Sequence, residues 1–167
     1  RCVNTVSGTR VRILDTRKTI PGLRLAQKYA VRCGGAENHR IGLFDAVVIK
    51  ENHIVAAGGI PAAVTAAIRS AGDVLIEVEV ETLEQVREAL ASVAQRLLLD
   101  NFSLEQTREA VVLRDALNPS VTLEASGGIT TESLRNVAET GVDFISVGSL
   151  TKNVEAIDLS MRFSFDA

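Results

Sequence analysis

Val74–Val80 reads as a β-strand, and in Ile76-Glu77-Val78-Glu79-Val80-Glu81 a carboxylate stands at every second position. A strand turns successive side chains to opposite faces, so Glu77, Glu79 and Glu81 share one face and the apolar residues take the other. Burying a row of carboxylates against an apolar core is prohibitive unless cations or a metal ion compensate. An edge strand with one wet face would avoid that cost, but the flanking segments argue against an edge. Five further runs have strand character: Val11–Thr16, Ala46–Lys50, Arg96–Asp100, Thr122–Ala125 and Phe144–Val147. Between the strands lie amphipathic stretches with helix starts near Pro21, Pro61, Thr82, Ser103, Thr131 and Asn153. The two prolines suit a first helical turn, and Thr82, Ser103 and Thr131 suit N-caps. This alternation demands a parallel sheet with right-handed crossovers, covered on both sides. The glutamate face then lines a polar cavity.

Periodicity alone does not separate a barrel from an open, doubly wound sheet. The placement of polar residues favours the barrel, because they gather at the C-terminal end of nearly every strand and not at one switch point. These are Asp15–Lys18, Lys50–Asn52, Glu77–Glu81, Asp100–Asn101, Glu124–Gly128 and Gly148–Lys152. The expected fold is α/β, an incomplete TIM-like (β/α) barrel of about six βα units. The barrel would occupy residues 11–167, and residues 1–10 would be the tail of a helix continuing from upstream.

The 167 residues, 46% hydrophobic and 23% charged, are enough for one domain with a real core and too few for a full eight-unit barrel with an accessory domain. A net charge of -3 without any long basic run excludes nucleic acid or an anionic membrane as the main partner. No apolar run approaches the length that crosses a bilayer. Cys2 and Cys33 form no C-x-x-C pair, and no secretory signal opens the chain, so it reads as cytoplasmic and reduced.

Asp15-Thr16-Arg17-Lys18-Thr19 puts two adjacent cations at a strand end. Arginine grips a carboxylate bidentately, whereas lysine acts as a compact charge. An isolated Arg-Lys pair is more often a solvated loop; here, however, three of the four lysines (Lys18, Lys50 and Lys152) fall at strand ends, where barrel enzymes place their sites. His39 and Arg40 add an imidazole and another guanidinium to what then reads as an anion-binding wall. His53 reads as a hydrogen-bonded loop histidine. Glu79 and Asp100, with Glu124 as a further candidate, offer hard oxygens without a Cys/His cluster, which points to magnesium held jointly with substrate phosphates. Ser126-Gly127-Gly128 and Val147-Gly148-Ser149 follow consecutive strands, and paired glycine loops of this kind let backbone N–H groups approach a phosphate.

These residues, together with Lys50-Glu51-Asn52-His53, Glu77-Val78-Glu79, Leu99-Asp100-Asn101, Glu124–Ile129 and Gly141–Gly148, resemble the quinolinate phosphoribosyltransferase family over nearly the whole chain. The resemblance implies decarboxylating phosphoribosyl transfer from phosphoribosyl pyrophosphate to quinolinate, giving nicotinate mononucleotide for NAD biosynthesis. It implies a quinolinate site of Arg17, Lys18, His39 and Arg40, and a phosphoribosyl pyrophosphate site of Lys50, Glu79 and Asp100. Thr16, Ser126, Gly127, Gly128, Val147, Gly148 and Ser149 would complete the substrate site. Lys18, Lys50, Glu79 and Asp100 would carry catalysis, and Glu79 and Asp100 would hold Mg2+. The family also carries an N-terminal sandwich domain that lends an arginine to the neighbouring subunit's site. The implied assembly is therefore a homodimer or higher, and low activity is implied for these 167 residues alone. Rival readings are a paralogue that uses nicotinate or another anion, against which the double cation wall argues, and a non-catalytic phosphate-binding remnant.

Overall fold

In the computed structural model, which describes residues 1–164, six parallel strands form one sheet. They are β1 (Arg12–Leu14), β2 (Ala46–Ile49), β3 (Leu75–Val80), β4 (Arg96–Asp100), β5 (Thr122–Ser126) and β6 (Phe144–Ser146). The last three residues of the expected barrel domain lie outside the described residues. The strand order is β1-β6-β5-β4-β3-β2. That is the sequential order of a ring cut once, between β1 and β2, whereas a doubly wound sheet reverses direction in its middle. Part of the cut is filled by Glu37, which forms a parallel bridge with Leu14. The Glu37 N–H donates to the Ile13 carbonyl at 2.8 Å, and the Asp15 N–H donates to the Glu37 carbonyl at 3.1 Å.

Strand alternation divides the buried residues into two sets. Ile13, Ile49, Val78, Val80, Leu97, Leu99, Leu123, Ala125 and Ile145 point outward and join the helices in one apolar core. Leu14, Val48, Leu98 and Phe144 point the other way, into the barrel, where Glu77 and Glu124 are also buried. The polar cavity expected behind the glutamate face is thus the barrel interior. Glu81 departs from that reading: β3 ends at Val80, and Glu81 is exposed. Below the carboxylates, the guanidinium groups of Arg96 and Arg12 stand 3.9 and 4.2 Å from the centroid of the Phe144 ring.

The helices are α1 (Cys2–Thr5), α2 (Arg24–Cys33), α3 (Glu51–Ala57), α4 (Ile60–Ala71), α5 (Leu83–Leu90), α6 (Leu104–Leu117), α7 (Leu134–Ala138) and α8 (Ser149–Lys152). Among the described residues, no single helix is long and apolar enough to cross a membrane. Pro61 sits in the first turn of α4, and Thr82 and Ser103 cap α5 and α6 by accepting from the N–H groups of Gln85 and Gln106, both at 3.2 Å. Three expected starts need correction. Pro21 lies in a turn, and α2 begins only at Arg24, because Gly22 adopts φ 78° and breaks the run. The N-cap of α7 is Ser133, not Thr131, after a turn tied by the Thr130 N–H to the Ser133 hydroxyl at 3.0 Å. No helix starts at Asn153; that residue ends α8, and Ile157, Leu159, Met161 and Phe163 beyond it stay exposed for want of a surface to pack on.

Candidate active site

The C-terminal ends of the strands carry two clefts. The first, about 450 Å3, is lined by Thr16, Lys18, Ser126, Gly127, Gly128, Gly148, Ser149 and Lys152 among others. Gly127 has φ 93°, and a Cβ on it would stand 2.2 Å from Asn101 Oδ1, so both conformation and space require glycine. The loop 16–18 is fixed beside the glycines: Thr16 Oγ1 accepts from the Lys18 N–H at 3.1 Å, and the Thr151 hydroxyl donates to the Lys18 carbonyl at 2.8 Å. Val147 departs from expectation. Its side chain is buried in the outer core and its N–H donates to the Leu14 carbonyl at 2.9 Å, so it holds β6 to β1 and does not face the cleft.

The second cleft, about 750 Å3, lies beside β2 at the cut; most of its lining is aliphatic, from β2, α3 and α4, and Arg17, Arg40, Lys50 and His53 supply its polar part. The two clefts meet at Arg17 and Lys18, consecutive in the chain. The Arg17 Nε is buried without a partner, and the Arg40 Nη1 donates to the Ala46 carbonyl at 2.9 Å. Burial, and then the charge of Arg17, make the Arg40 cation less favourable than an ordinary guanidinium. Two guanidinium groups facing one cleft suit an anionic ligand. Lys50 forms an ion pair with Glu79. His53 stands in the first turn of α3, where the expected loop gives way to helix. Its Nδ1 accepts the Lys50 N–H at 2.9 Å, the hydrogen bond expected of it.

His39 lies apart from both clefts, inside the barrel. Its Nε2 stands 2.9 Å from Glu77 and 3.4 Å from Glu124, and its Nδ1 accepts the Arg40 N–H at 2.7 Å. Both ring nitrogens therefore have partners within the chain, and what His39 offers the site is charge and position. Burial opposes the imidazolium, and a proton on Nδ1 must displace the Arg40 N–H, but the carboxylates of Glu124 and Glu77 outweigh burial and raise the pKa to about 9. Glu77 is pushed up to about 7 by burial and by the charge of Glu124. Glu124 is also opposed by burial, yet His39 and Arg96, whose Nη1 is 3.5 Å away, hold it below the usual carboxylate range. These three residues bring one nitrogen and two carboxylate oxygens within 4.8 Å of one another, the spacing of a metal site. The imidazolium already supplies the cation that the pair needs.

The carboxylates expected to hold magnesium are placed differently. Glu79 and Asp100 lie on neighbouring strands on the face that lines the barrel, near its mouth. Asp100 accepts from Asn101 Nδ2 at 2.9 Å and has no ion-pair partner among the described residues. Glu79 keeps one oxygen beyond its contact with Lys50. Two hard carboxylates, one without a cation, fit a divalent ion shared with ligand phosphates.

The sequence reading missed Lys28 altogether. It is 2% exposed on α2 and pairs with Asp15, which is fully buried. A lone lysine within an amphipathic helix gives no signal that it turns inward.

Residues 1–162 match the family described as quinolinate phosphoribosyl transferase, C-terminal domain. The chain is 48% identical over 159 residues to the nicotinate-nucleotide pyrophosphorylase [carboxylating] of Mycobacterium leprae, covering 95% of this chain and 56% of that protein. It is likewise 48% identical to the probable enzyme of the same name from Bacillus subtilis, covering 95% of this chain and 54% of that one. The solved structure of the nicotinate-nucleotide pyrophosphorylase from Francisella tularensis superposes with a TM-score of 0.90 at 54% identity, over 95% of this chain and 56% of the other. The chain thus spans about half the length of these relatives. With its ring of strands, its paired glycine loops and this match over nearly its whole length, the chain belongs to the quinolinate phosphoribosyl transferase family and corresponds to that family's C-terminal domain.

Proposed function

We propose that this chain supplies the catalytic barrel for decarboxylating transfer of a phosphoribosyl group to quinolinate, yielding nicotinate mononucleotide, pyrophosphate and carbon dioxide. The observation that carries this reading is that neighbouring residues serve two clefts: Arg17 joins Arg40 and Lys50 in an otherwise largely apolar one, and Lys18 joins the glycine loops and Lys152 in the other. Arg17 and Arg40 suit the two carboxylates of quinolinate, with Lys18 at the junction and the His39 charge behind Arg40. Their main effect is orientation, aiming the pyridine nitrogen at the anomeric carbon of the ribose. Gly127, Gly128, Gly148 and Ser149 suit the 5-phosphate. Lys50 stabilises charge on the departing pyrophosphate, and Glu79 and Asp100 face a developing oxocarbenium ion.

No protein nucleophile is needed. Once the ring nitrogen is alkylated, its positive charge stabilises the electron pair left on the adjacent carbon when that carboxylate departs as carbon dioxide, and the carbon then takes up a proton. Glu79 and Asp100 are the residues to hold Mg2+, which when bound supplies neutralising charge for the pyrophosphate. The reading extends to a homodimer or higher assembly in which a neighbouring subunit completes the site; Leu43 and Phe44, exposed beside the second cleft, support it.

Binding of each substrate to single variants tests the division of the site. A charge-assisted contact to an ionised ligand is worth roughly 1.5–3 kcal/mol. Arg40→Ala is expected to weaken quinolinate binding far more than phosphoribosyl pyrophosphate binding, and Lys50→Ala to do the reverse or to slow turnover. Equal losses for both ligands would contradict the assignment. Full pyrophosphate release in excess chelator would remove magnesium from it.

A further inference from the structure

A charged pair buried as deeply as Lys28 and Asp15 gives up the hydration of both ions, and such pairs are often no more stabilising than well-packed apolar residues. Their hydrogen bonds show what this one holds. The Asp15 carboxylate accepts the backbone N–H of His39 at 2.9 Å, and the Lys28 ammonium donates to the backbone carbonyl of the same residue, also at 2.9 Å. Asn38, next in the chain, donates from Nδ2 to the other Asp15 oxygen at 2.6 Å and to the Lys28 carbonyl at 2.9 Å. Each member of the ion pair therefore grips one polar group of the His39 backbone.

His39 stands in the connection of residues 34–45 between α2 and β2, which contains no helix and only the single bridge at Glu37. A connection of that length is held in place only by specific contacts. Arg40 follows His39 directly in the chain, so fixing the His39 backbone fixes where the Arg40 side chain starts, and that side chain enters the second cleft beside Arg17. Two guanidinium groups in one cleft repel each other, so a free loop would carry Arg40 away from Arg17 until an anion arrived. The contacts run without a gap from Lys28 and Asp15, through the His39 backbone, to Arg40.

We propose that the buried Lys28–Asp15 pair is a positioning device that clamps His39 and thereby presets Arg40 opposite Arg17 for a dianionic aromatic substrate. This rests on the functional reading above for the identity of the ligand. Lys28 and Asp15 touch no substrate in this scheme. They act by keeping the anion site assembled before binding, so that binding does not have to order the loop.

The test replaces the pair with neutral groups of similar volume, Asp15→Asn with Lys28→Met, in the intact protein. Calorimetric affinities for quinolinate and for phosphoribosyl pyrophosphate are measured beside amide hydrogen exchange of residues 37–41. The expected result is at least a tenfold loss of quinolinate affinity, phosphoribosyl pyrophosphate affinity within threefold of the unaltered protein, and fast exchange in 37–41 with β3, β4 and β5 unchanged. In steady state the quinolinate KM rises more than kcat falls. Unchanged quinolinate affinity in a folded variant, or equal losses for both ligands, overturns the proposal. If that double variant does not fold, Asp15→Asn with Lys28→Gln, which keeps a hydrogen-bonding group at both positions, is read in the same way. Should the unaltered protein not bind quinolinate, the functional reading falls; the exchange measurement then decides the clamp by itself, with slow exchange in the variant overturning it.

Discussion

Glu77 and Glu124 meet at one imidazole inside the barrel, and this fixes how the protein responds to pH. The proton on His39 is held more tightly in the fold than at the ordinary value of 6.5, because the two carboxylates raise its pKa to about 9. A raised pKa means that the folded state binds the proton more strongly than the unfolded chain. The stabilisation is therefore complete below about 6.5 and lost as pH climbs through about 9. Glu77, raised from 4.5 to about 7, acts in the same direction over a lower range. Glu124, held low by His39 and Arg96, acts in the opposite sense, and its contribution is lost in acid. The midpoint of urea unfolding is expected to be highest in mildly acidic buffer and to fall toward pH 9, and His39→Gln should flatten the fall above pH 6.5. An equally steep fall in that variant would rule out His39 as the titrating group. The inward position of Glu77 and Glu79 was legible from alternation. The partnership with His39, 38 residues upstream of Glu77, was not, because no local pattern ties a loop histidine to a strand. Lys28 was illegible for the same reason.

Single elements were most legible where their ends are set by local chemistry. Ser103 accepts the Gln106 N–H while the Gln106 side chain accepts the Ser103 N–H at 2.9 Å, so two of the free donors at the start of α6 are satisfied within four residues. Ser103→Ala is expected to cost about 1 kcal/mol, read as a lower urea midpoint with an unchanged slope. A loss too small to measure would show that solvent replaces the cap. Local reading failed where two neighbouring local patterns compete for the same residues. Thr131 looked like a cap, but Thr130 and Ser133 close a turn on each other and postpone α7. The short helix α3 was hidden because Lys50–Asn52 is polar enough to pass for a loop. It forms because the Lys50 N–H donates to His53 and Gly58 ends it at φ 85°. Residues 153–164 hold enough apolar side chains for a helix face, but Ile157, Leu159, Met161 and Phe163 stay exposed among the described residues.

At the scale of the whole molecule, the ring of strands is cut once, and the cut sets both rigidity and function. β4 and β5 lie in the middle of the sheet with partners on both sides, whereas β2 pairs only with β3. Amide exchange is expected to be slowest in Leu97–Leu99 and Leu123–Ala125 and faster by at least tenfold in Val47–Ile49. Equal protection would mean that the cut is closed by more than the Glu37 bridge. The cleft that holds Arg17 and Arg40 lies at this cut, so the strand with a single partner stands beside the proposed anion site, and the buried clamp on His39 lies next to it. The sequence by itself determined the repeated βα units, the parallel sheet, the inward carboxylates and the glycine loops, because strand period, turn chemistry and charge placement act over a few residues. Only the tertiary structure decided that the cut falls between β1 and β2, that His39 turns into the barrel to answer Glu77 and Glu124, and that Lys28 is spent on Asp15. Each of these joins residues far apart in the chain, where the cost of burying a charge is met by whichever partner the closed fold brings within reach.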